Sequence, residues 1–95
     1  MMSKVSAKSA VKTAQQMVHR LKPDTRLDIV NFKKDRMVHV TRGSEGQFVV
    51  DEDGYFHEEW KVGEREAETI LKEIIPREFP RSHELRFRVK NLKQA

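Results

Sequence analysis

The chain contains no cysteine, which excludes disulfides, thiol nucleophiles and thiolate metal sites together. Stability must come from packing, and 95 residues suffice for one core, because a domain of this size buries roughly two-thirds of its unfolded surface. No apolar run approaches the roughly eighteen residues that a bilayer-spanning helix needs, so no membrane partner is expected. No apolar segment follows the basic N-terminal residues, which argues against a secretory signal. A cytoplasmic setting is the expectation. Residues 4–22 also suit an organellar targeting helix, but their apolar face is rich in alanine and a core helix explains them equally well. Phosphate-cradling Gly-Lys-Ser/Thr loops, nucleophile elbows and dinucleotide fingerprints are all absent. Aromatic residues are few: five Phe, one Tyr and one Trp. That limits the rings on which a single strand could stack.

Acidic residues are missing before Asp24, and this absence belongs to a wider pattern. Residues 1–43 carry ten basic and three acidic side chains, residues 44–73 three basic and ten acidic, and residues 74–95 six basic and two acidic. The successive net charges are +7, −7 and +4, giving +4 for the chain. Charge separated in this way creates a field that can act on a partner. The charged fraction of 36% nearly equals the apolar fraction of 37%, a balance that would suggest disorder if the apolar residues were scattered. They are instead periodic, so a single folded domain over 1–95 is expected, with 91–95 as a frayed tail.

Residues 4–22 read as a helix: Ala7, Ala10, Val11, Ala14, Met17, Val18 and Leu21 share one arc at the 3.6-residue period. Pro23 ends it. Strands are expected over Arg26–Phe32, Met37–Arg42, Gln47–Val50 and Tyr55–Val62, forming two hairpins. Gly54 is expected to supply the positive φ of a tight turn. A second helix follows from Gly63 to about Ile75, with Glu64, Glu66 and Glu68 near its positive end and Pro76 as its stop. Glu84–Lys90 alternates as a final strand. The expected fold is α+β: a two-layer sandwich in the order α-β-β-β-β-α-β, with an antiparallel sheet of about five strands and two helices on one face. Phe48, Val50, Phe56, Trp60, Leu85, Phe87 and Val89 should face the helices. Arg86, Arg88, Lys90, Tyr55, His57, Lys61 and His39 should lie on the other side.

Two basic features suit phosphate binding. Lys4, Lys8, Lys12, His19 and Lys22 share an arc on the first helix, beside Gln15, and a basic helix face can track a phosphate backbone. The alternative is that this arc pairs with the acidic second helix. Arg86, Arg88 and Lys90 alternate along the last strand as a cationic row of about 13 Å at standard strand rise, which Arg77, Arg81 and His83 could extend. Such charges also protect an edge strand from aggregation. Tyr55 is the ring expected to be exposed, while Phe32 and Phe79 are undecided, so backbone contact is favoured over base stacking.

The four histidines give no metal site: His57-Glu58-Glu59-Trp60 lacks the second histidine of a helical zinc motif. Asp51-Glu52-Asp53-Gly54 reads as a turn, because Val49 would occupy the first ligand position of a calcium loop. Gly43-Ser44-Glu45-Gly46 matches the Gly-x-x-Gly of KH modules literally, but it joins strands and carries an acid. No nucleophile or paired carboxylates in a cleft are evident, so no enzyme activity and no cofactor are expected. The helix–strands–helix order is loosely similar to the double-stranded-RNA-binding domain in topology only. Its extra strands and acidic second-helix start set it apart, and no family is assigned. The leading expectation is a small basic protein that binds the phosphate backbone of DNA or RNA without marked sequence preference. The alternative is a protein-interaction or regulatory module, including a homo-oligomer, that uses its segregated charge. A third reading is a structural domain without a partner.

Overall fold

The computed structural model describes residues 3–93. Its elements are β1 (Ser3–Ser6), a 3-10 turn (Ala7–Ser9), α1 (Ala10–Arg20), β2 (Thr25–Val30), β3 (Met37–Arg42), β4 (Phe48–Asp53), β5 (His57–Val62), α2 (Glu64–Glu78) and β6 (Glu84–Asn91). All strand pairs are antiparallel, and the sheet order is β1-β6-β2-β3-β4-β5. Both helices lie on one face. The α+β sandwich expected from the sequence is therefore present, with six strands rather than five.

The sixth strand comes from the start of the residues read as helix. Ser3–Ser6 pairs with β6, placing Val5 against the core and Lys4 opposite Arg86. A four-residue strand with one large apolar side chain carries too little alternation to override the helical period that continues through it. The Ser6 hydroxyl accepts from the Lys8 amide at 3.2 Å and turns the chain into the 3-10 segment. Helix α1 then buries Ala10, Ala14 and Val18, four residues apart, so small side chains form its contact stripe. The new strand also covers β6, which is an interior strand rather than an edge.

Pro76 does not stop the second helix. It lies inside α2, which runs on through Glu78 and closes with the Phe79 amide on the Ile75 carbonyl at 3.0 Å. Near a helix end proline removes only one intrahelical bond, so the last turn survives it. Leu71 and Ile74 are fully buried from this helix, each contributing about 1.5–3 kcal/mol of transfer free energy. Val38, Val40, Phe48, Val50, Leu85 and Phe87 complete the layer from the sheet. Of the other residues expected there, Trp60 packs at the rim, Val89 is half-exposed, and Phe56 sits in the β4–β5 turn.

Strand ends shift by a few residues. Phe32 leaves β2 for the following turn, Tyr55 precedes β5, and β4 extends through Glu52 to Asp53. Among the described residues the positive-φ positions are Asp24 (61°), Lys34 (60°) and Gly46 (91°), so Gly54 does not supply one. The expected frayed tail is held as far as it is described. Asn91 ends β6, the Leu92 amide donates to the Asp24 carbonyl at 2.9 Å, and Lys93 lies 3.5 Å from the Asp24 carboxylate. Residues 94–95 lie outside the described residues.

Candidate nucleic-acid interface

Among the described residues no helix covers the second face of the sheet, and the strand register decides which side chains it presents. Lys4 stands opposite Arg86, and Arg26 opposite Lys90, so two like-charged cross-strand pairs lie on β1, β6 and β2. Between them Arg88 pairs across to Asp28, and that row continues through His39 and Asp51 to Glu59. The open face is therefore basic on one side and acidic on the other. Arg86 and Arg88 are half-buried, whereas Lys4 and Lys90 are exposed. Among the described residues, Lys4, Arg86 and Lys90 form no ion pair.

Asp28 anchors the middle of this face. It is 1% exposed, with Arg26 Nε and His39 Nδ1 at 2.7 and 2.6 Å from one carboxylate oxygen and Arg88 at 3.1 Å from the other. Burial alone would raise its pKa, but the hydrogen bonds from Arg26, His39 and Arg88 together hold it below the usual aspartate value. Arg26 and Arg88 are thus both partly neutralised. Farther along the row, burial and then the neighbouring Glu59 carboxylate push the Asp51 pKa up.

At one end the face runs into a cluster that the sequence did not disclose. The β2–β3 turn, the β4–β5 turn and the α2–β6 connection meet there. Three arginines lie over three aromatic rings: Arg86 over Phe32 at 5.2 Å, Arg36 over Tyr55 at 5.3 Å and Arg77 over Phe56 at 4.4 Å. Phe32 is 75% and Tyr55 70% exposed, while Phe79 is buried. Beside Phe32 opens a cleft of about 520 Å³ that also involves Lys33, Arg36, Arg81 and Arg86. Such contacts join residues from different elements, so only the Arg/Lys composition of each segment hinted at them.

The cluster is held by the helix end that continues past Pro76. Glu78, fully buried, accepts from the Tyr55 amide at 2.6 Å and the Phe56 amide at 3.3 Å. Arg36 donates to the Glu78 carbonyl at 2.9 Å, and Arg77 Nε donates to the buried Glu52 carboxylate at 3.1 Å. Burial raises the Glu78 pKa; the turn amides pull it down, and the adjacent Glu52 carboxylate pushes it up again. Glu52 and Glu78 thus form a buried carboxyl pair, Glu78 bound to the turn amides and Glu52 to Arg77. Asp51-Glu52-Asp53 belongs to β4 rather than to a turn, and Glu52 points towards α2.

The helix-borne residues of the expected site lie elsewhere. Lys4 belongs to β1 and joins the Arg86–Lys90 side, whereas Lys8, Lys12, His19 and Lys22 lie in or beside α1 on the opposite layer. Part of the α1 arc faces α2. Gln15 donates to the Glu68 carbonyl at 3.0 Å, and His19 Nδ1 lies 2.7 Å from Glu64 Oε2. His19, Glu64 and Glu68 hold one nitrogen and two carboxylates within 4.8 Å of one another, a donor set chemically compatible with a divalent ion. The two basic features read from the sequence therefore do not merge into one surface.

No known family model, curated protein or solved structure matches this chain. Among the described residues no helix is long and apolar enough to cross a membrane.

Proposed function

We propose that this chain binds nucleic acid through its phosphate backbone, without marked sequence preference, along β1, β6 and β2 of the open face. The observation that carries the reading is the cation–cation juxtaposition of Lys4 and Arg86, neither ion-paired among the described residues, with the exposed Lys90 farther along β6 opposite an Arg26 already paired with Asp28. Like charges directly opposite on adjacent strands destabilise a sheet. A polyanion laid across them relieves that repulsion and releases its own counterions. The acidic half of the face, with Asp51, Asp53 and Glu59, repels the same ligand and confines it to the basic strands. Lys4, Arg86 and Lys90 suit phosphate oxygens, and contacts to phosphate position a ligand without carrying sequence information. Anisotropy titrations with duplex and single-stranded oligonucleotides test the proposal. Affinity should fall steeply with added salt, and no binding to either form at low salt would remove it.

A second reading rests on the same two-sided face. Its basic strands complement its acidic strands, so copies could dock head-to-tail. Salt-sensitive self-association in light scattering, without affinity for oligonucleotides, would favour this reading over the first.

A further inference from the structure

We infer that the cleft beside Phe32 holds an unpaired nucleobase, so that single-stranded nucleic acid is the preferred ligand of the basic face. This inference rests on the polyanion reading above and adds a strand preference to it. The Phe32 ring stands at the tip of the β2–β3 turn and is 75% exposed. A solvated phenylalanine contributes little to the core, and the turn does not require its ring. The turn is held instead by polar contacts: the Asn31 amide group donates to Asp35 at 2.6 Å, and the Arg36 amide donates to the Asn31 side chain at 3.2 Å.

Arg86 lies over this ring at 5.2 Å. It is also the cation opposite Lys4 on the open face. One side chain therefore joins the phosphate track to the aromatic platform. A backbone following Lys4 and Arg86 passes the side of the cleft that Arg86 lines, where Lys33, Arg36 and Arg81 together with Arg86 outnumber the acids Asp35 and Glu84. The cleft volume of about 520 Å³ falls within the range of about 300–1,000 Å³ usual for small-ligand pockets. A duplex keeps its base faces stacked inside the helix, so only an unpaired base can use Phe32. Base–aromatic stacking is sequence-tolerant because every base has a π-face, which suits binding without marked sequence preference.

The test compares a short oligothymidylate, the same strand made abasic and a duplex of equal length, by anisotropy at low salt. Phe32→Ala should weaken oligothymidylate binding by on the order of tenfold, the scale of one base–aromatic stack, and leave duplex and abasic binding unchanged. Phe32→Trp should retain the affinity, with its indole fluorescence quenched by oligothymidylate and not by the abasic strand. The exposed position makes both variants compatible with folding, which circular dichroism checks. If Phe32→Ala matches the parent on oligothymidylate while the parent binds all three, the base-stacking inference fails and the backbone reading survives. If the parent binds none of them, both fail.

Discussion

The Tyr55 amide donates a 2.6 Å hydrogen bond to a Glu78 carboxylate that solvent does not reach. Through this contact the last turn of α2 fixes the hairpin tip that carries Tyr55 and Phe56. Glu78→Ala removes the acceptor of two part-buried backbone donors, and a loss of about 1–3 kcal/mol is expected from the cost of breaking hydrogen bonds to a charged or desolvated group. Urea unfolding measures it. The pH dependence has a definite sign. The Glu78 pKa is raised in the fold, so the folded state binds its proton more tightly than the unfolded chain. Its contribution to stability therefore declines as pH rises from about 4.3, the ordinary glutamate value, through the raised value. Glu78→Gln mimics the protonated side chain and should lack this decline. Parallel stability curves for parent and variant across that window would refute the assignment.

Gly54 is needed for space rather than for its backbone angle. A Cβ there would overlap Glu78 Oε2 and would lie 2.9 Å from Glu78 Cδ and 3.0 Å from the Arg36 Cα. The Arg36 neighbour is backbone and cannot swing aside. Gly54→Ala should cost about 1–3 kcal/mol, the usual scale of overpacking, and less when Glu78 is also alanine. Additive losses in the double variant would show that the two residues do not share the site.

The sequence made the layers legible because their signals are local. The period-2 alternation of Leu85, Phe87 and Val89 and the helical stripe of Ala67, Ile70, Leu71, Ile74 and Ile75 each lie within one element. The missed features depend on contacts between elements. Val5 joins the core only because β6 is beside it, and α2 passes Pro76 with Arg77 and Glu78 both engaged in the contacts described above. The Arg–aromatic cluster draws on two turns, a helix end and a strand, so no window of sequence contains it. Half of the candidate site was read for a similar reason. Arg86, Arg88 and Lys90 share a strand face by alternation, whereas the placement of Lys4 beside them needed the β1–β6 register.

Asp28 sets stability and surface charge in opposite directions. Asp28→Asn weakens the charged bonds to Arg26, Arg88 and His39, and a loss of about 2 kcal/mol at neutral pH is expected on the scale of hydrogen bonds to charged groups. Because the Asp28 pKa is lowered in the fold, this stability is present above the ordinary aspartate value of about 3.9 and disappears as pH falls through the lower folded value. The gap between parent and variant should therefore narrow in acid. The same substitution frees Arg26 and Arg88 on the open face, so oligonucleotide affinity at low salt should rise. A variant that is less stable and also binds more weakly would contradict the proposed track.

Charge reversal on opposite layers separates a localised interface from general attraction to a basic protein. Lys4→Glu with Lys90→Glu alters the open face, and Lys12→Glu with Lys22→Glu alters α1 and its C-terminal flank. All four lysines are exposed, and each pair changes the net charge equally. Any effect of overall charge is therefore the same for both double variants. Under the proposal the open-face pair lowers affinity and reduces the slope of log K against log salt by about 0.7–0.9 for each phosphate no longer neutralised. The α1 pair should leave that slope near the parent value, because those lysines lie on the helix layer. Anisotropy titrations at several salt concentrations measure both quantities, and equal losses of affinity in the two variants would replace a bound track on β1, β6 and β2 with diffuse electrostatic attraction.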